Sequence, residues 1–158
     1  MAASTIAVGI EGGEDFAAEA HIRPRDALVL LLDSAVDVDG AFGRRQNDLR
    51  AALDGDGTVV LLAGPRIAEG LATQFGCWIR AKVGLDILPW DEPRALADGG
   101  EAYAEVRFFG HPPESATTVA RSESGDVAGV RYRGGAATII VAPLDGSATV
   151  ADLLRRWV

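Results

Sequence analysis

Apolar and polar positions alternate along this chain in blocks rather than residue by residue. Four runs are apolar almost without interruption: residues 5–10, Ala27–Leu32, Thr58–Ala63 and residues 137–142. A strand with one wet face alternates, whereas a short unbroken apolar run suits a strand buried on both faces. Between these runs the spacing turns helical. Residues 14–20 predict a short helix, which Arg23-Pro24-Arg25 ends. Residues 41–53 set Phe42, Leu49, Ala52 and Leu53 on one helical face behind Asp39 as N-cap, and Asp54-Gly55-Asp56-Gly57 stops them. Residues 66–83 carry the strongest stripe, Ile67, Leu71, Phe75, Trp78, Ile79 and Val83, entered through Gly64-Pro65 and closed by Gly84. Residues 148–157 predict a last amphipathic helix with Val150, Leu153, Leu154 and Trp157 on one side.

The middle of the chain differs. Pro89, Pro93 and Gly99-Gly100 make residues 85–101 read as loop with one helical turn. Residues 103–109 predict a strand, residues 116–121 and 126–133 an antiparallel pair, and Arg133-Gly134-Gly135 a turn into the fourth apolar run. Strand–helix alternation with doubly buried strands predicts a single α/β domain over residues 1–158, with an irregular insert at about 85–135. The expected architecture is a three-layer sandwich: a mostly parallel sheet between helices, with an antiparallel hairpin near the C-terminus. Open sheets of that kind bind ligands beyond the carboxyl ends of their strands. Four loops would meet there: Glu11-Gly12-Gly13, Asp33-Ser34, Gly64-Pro65-Arg66 and Pro143-Leu144-Asp145. The candidate ligand-binding residues are therefore Glu11, Gly12, Asp33, Ser34, Gly64, Arg66 and Asp145.

Charge narrows the partners. Of 158 residues, 23 are acidic and 15 basic, a formal charge of -8. Nucleic acids and anionic membrane surfaces both demand a basic footprint, so both are disfavoured as partners. No apolar run approaches the roughly 20 residues that span a bilayer, and Met-Ala-Ala-Ser-Thr lacks the features of a signal peptide. A cytoplasmic protein is the expectation. One cysteine and two histidines allow neither an internal disulfide nor a His/Cys zinc cluster.

Catalytic motifs are sparse. Cys77 falls inside the 66–83 helix and off its apolar stripe, away from the helix N-terminus or histidine partner that would activate a thiol. Asp33, Asp37 and Asp39 cluster where a strand end could hold a divalent cation. Asp37-Val38-Asp39-Gly40 is similar to the Asp-x-Asp-Gly of haloacid-dehalogenase-type phosphatases, but Ala41 follows it and the strand has already ended. Helix capping accounts for these aspartates more simply. Glu11-Gly12-Gly13 and Gly64-Pro65-Arg66 could offer backbone N–H groups to an anion, yet neither fits a phosphate-loop pattern.

Phe109-Gly110-His111-Pro112-Pro113-Glu114 resembles the His-Pro-Glu signature of class I glutamine amidotransferases. The apolar strands and the late hairpin resemble the flavodoxin-like sheet of that group. The resemblance implies its fold. It does not imply its activity, because Gly64-Pro65-Arg66 stands where the family's nucleophile elbow would be and carries neither thiol nor hydroxyl. The function expected from these residues is a non-catalytic, glutamine-amidotransferase-like domain that binds a protein or a small ligand. It would work as a homo-oligomer or with a protein partner, without cofactor, bound metal or catalytic residue. The alternative is a small hydrolase or transferase at the carboxyl ends of the parallel strands, using Asp33, Ser34 or Arg66, with or without a metal ion.

Overall fold

A computed structural model describes residues 5–8, 14–15, 27–32, 47, 50–67, 80–144 and 149–157. Nine strands follow one another: β1 (Thr5–Val8), β2 (Glu14–Asp15), β3 (Ala27–Leu32), β4 (Thr58–Ala63), β5 (Leu85–Ala95), β6 (Glu101–Phe108), β7 (Thr117–Arg121), β8 (Val127–Gly134) and β9 (Ala137–Pro143). Residues 50–54 and 80–83 are helical, and a helix spans Val150–Trp157.

Seven strands form one sheet in the order β2-β1-β3-β4-β9-β8-β7. β2, β1, β3, β4 and β9 run parallel, while β8 and β7 are antiparallel to their neighbours. The register stacks like residues in rows. Leu28, Val59 and Ile139 are paired across β3, β4 and β9, and so are Leu30, Leu61 and Val141. Because side chains alternate across a strand, these rows face one core, and Val29, Leu31, Val60, Leu62, Ile140 and Ala142 form a second core on the opposite face. Unbroken apolar runs are therefore required here: every position meets one core or the other.

β5 and β6 form a separate antiparallel hairpin that covers the first core. Leu85, Ile87, Ala104 and Val106 point inward and are buried with Leu30, Leu61 and Tyr132. Phe108 packs edge-on against Tyr132, ring centroids 5.1 Å apart. The Tyr132 hydroxyl donates to the Val83 carbonyl, tying β8 to the end of the preceding helical turn. The far end of the hairpin is stitched to the main sheet. Leu96 bridges Ser122, the Ala97 N–H donates to the Arg121 carbonyl at 3.0 Å, and the Glu123 N–H donates to the Ala95 carbonyl at 2.9 Å. Arg94 pairs with Asp126 at 2.7 Å across the same joint.

This arrangement overturns the expected fold class. The described residues are dominated by strands, the main sheet is mixed, and the layer over its first core is an antiparallel sheet. It is neither a three-layer α/β sandwich nor a flavodoxin-like fold. The error has a physical origin in residues 85–101. Prolines lack a ladder donor and argue against a central strand, but a two-stranded hairpin has free edges that tolerate them. Pro89 still pairs with Ala104, the register then shifts, and pairing resumes at Arg94 opposite Ala102. Glu14–Asp15 also forms a short parallel strand against β1 where a helix is predicted from residue 14.

The last helix, expected over residues 148–157, spans Val150–Trp157 behind Thr149 as its N-cap. Thr149 and Asp152 form a reciprocal capping box: the Asp152 N–H donates to Thr149 Oγ1, and the Thr149 N–H and hydroxyl donate to Asp152 Oδ2. Those bonds from Thr149 hold the Asp152 carboxyl below its ordinary range.

Candidate functional site

The parallel strands deliver their carboxyl ends to one side of the main sheet. The Gly64 N–H donates to the Leu32 carbonyl at 3.2 Å and the Leu144 N–H donates to the Ala63 carbonyl at 2.9 Å, so the chain leaving β4 and β9 is held against its neighbours. Gly64 also accepts from the Ile67 N–H at 3.2 Å, closing a tight turn that buries Gly64 and exposes Arg66. Of the candidate ligand residues, the structure places Gly64 and Arg66 here. Glu11, Gly12, Asp33, Ser34 and Asp145 lie outside the described residues, as do Asp37, Asp39 and Cys77.

At the end of β9 a cleft of about 750 Å³ opens between the main sheet and the hairpin tip. Pro143 and Leu144 form one side of it. Leu96 and Tyr103 of the hairpin and Val119 and Ala120 of β7 supply further apolar surface. Polar groups come from three elements: Asp98 and Glu101 at the hairpin tip, Arg121 at the end of β7, and Arg156 of the last helix. The tip is built for a sharp reversal. Gly99 and Gly100 have φ of 95° and 83°, a region where a Cβ is strained, and the Leu96 N–H donates to the Gly100 carbonyl at 3.0 Å. Arg121 is held by the Gly125 carbonyl at 2.9 Å and by Thr118 Oγ1 at 3.5 Å.

None of Asp98, Glu101, Tyr103, Arg121 or Arg156 is singled out by sequence. A signal for two of them exists: Asp98-Gly99-Gly100-Glu101 is a turn sequence that precedes an alternating strand. Pairing that strand backwards onto residues 85–95 sets both carboxylates at a hairpin tip. Pro143-Leu144 is foreseen as part of the loop cluster, and both residues line the cleft.

Other candidates come apart. His111 is exposed in the segment after β6. Phe108 is packed against the first core, Phe109 lies under the Arg80 guanidinium at 4.4 Å, and Trp90 lies under that of Arg94 at 4.3 Å. Among the described residues, no three His, Cys, Asp or Glu side chains are grouped to hold a metal ion, and no helix is long and apolar enough to cross a membrane.

No protein-family model matches the chain, and no curated protein matches it. Among solved structures, it is similar to the exo-beta-1,4-mannosidase Op5Man5 from Opitutaceae bacterium strain TAV5, at 15% identity and a TM-score of 0.43. That likeness covers 73% of this chain and 20% of the enzyme, so the chain spans about a fifth of its length. A likeness at that TM-score carries no argument about activity. The resemblance to class I glutamine amidotransferases is corrected here. No family model supports it, and the mixed sheet with its β-hairpin layer differs from the fold it implies.

Proposed function

We propose that this domain binds a small polar molecule in the cleft between the hairpin tip and the end of β9. The observation that carries the reading is the cleft's make-up: about 750 Å³, apolar surface from Leu96, Val119 and Leu144, and charged groups supplied by separate elements. Small-molecule sites are concave spaces of roughly 300–1,000 Å³, mostly apolar, with a few polar groups that orient the ligand. Gly64 and Arg66, at the carboxyl end of β4, do not line this cleft.

The test is ligand-induced thermal stabilisation across a library of polar metabolites. A ligand at a hundred times its Kd stabilises by about 2.7 kcal/mol, or roughly 5–10 °C for a chain of this size. Glu101 is exposed on the rim, so Glu101→Trp fills the cleft without disturbing the core. The expected result is a shift in the parent chain that the variant loses. A shift of equal size in both would contradict the reading.

A hydrolytic reading of the same cleft has one observation in its favour, the two carboxylates Asp98 and Glu101 on one wall. Paired carboxylates can divide acid and base roles. It predicts turnover of an activated ester or glycoside that Glu101→Gln abolishes; binding without turnover would exclude it.

A further inference from the structure

We draw no further inference here: the strongest candidate, the guanidinium that Arg131 presents on the second-core face of β8 with its buried Nε lacking a hydrogen-bond partner among the described residues, carries no ligand assignment, because the cleft does not reach it and nothing in the structure shows what covers that part of the face.

Discussion

β4 and β5 show two ways of making a strand. β4 has a neighbour on each side, and five of its six residues are buried. β5 has one neighbour, buries Leu85 and Ile87, and loses its register after Pro89. The first is held by apolar contact on both faces. The second is held on its inner face and at its two ends, by Leu85 and Ile87 in the core and by the Leu96–Ser122 joint. The consequence is a division of labour. The parallel middle carries the stability, and the hairpin, whose outer side chains are free of the core, carries the charged wall of the cleft.

Substitutions can break that contrast, and the largest effect is expected in the middle. Leu61 is fully buried between Leu30 and Val141, so Leu61→Ala should cost about 2–5 kcal/mol in urea unfolding. A loss close to zero would show that the middle of the sheet is not the core. Next comes the contact between layers. Tyr132→Phe removes the donor to the buried Val83 carbonyl and should cost about 1–3 kcal/mol. Burial also pushes the Tyr132 phenol well above its ordinary value. The folded chain then keeps a proton that the unfolded chain releases near pH 10. This contribution is fully present below that pH and declines above it, by up to about 1.4 kcal/mol per pH unit. Stability measured from pH 9 to 11 should fall more steeply in the parent than in Tyr132→Phe; parallel curves would contradict the buried phenol.

The joint is worth less. Arg94 and Asp126 are about half exposed, so a double-mutant cycle to alanine should return a coupling of about 0.2–1 kcal/mol that shrinks with added salt. A coupling of several kcal/mol would mean that the joint, not the inner face, holds the hairpin down. The smallest effect belongs to the outer face. Leu88 is 38% exposed, and Leu88→Ala should change stability by no more than about 0.5 kcal/mol. A larger loss would show that something covers that face.

The same contrast explains how far the sequence could be read. Ala27–Leu32 and Thr58–Ala63 are strands with the predicted limits, because an unbroken apolar run between turn residues has few other ways to be buried. The layer above them was hidden. Leu85-Asp86-Ile87-Leu88 alternates for only four residues before Pro89, too short a pattern to distinguish a strand from a loop. Its identity depends on pairing with Glu101–Phe108, a relation that local pattern does not encode. The cleft was hidden for the same reason. Asp98 and Arg121 are ordinary surface residues in the sequence, and only the Leu96–Ser122 joint brings them to one cavity. A search for catalytic motifs passes over a site assembled from separate elements with common side chains.

Amide hydrogen exchange compares the two regions in one experiment. The amides of Val60, Leu61 and Ile140 should exchange only through global unfolding, with opening free energies equal to that of the whole chain. Those of Trp90, Asp91 and Glu92, beside the register shift, should exchange at much lower opening free energies, while Leu85 and Ile87 fall between. Equal protection across β4 and β5, or faster exchange in β4, would contradict a core made by the parallel strands with a hairpin layered upon it.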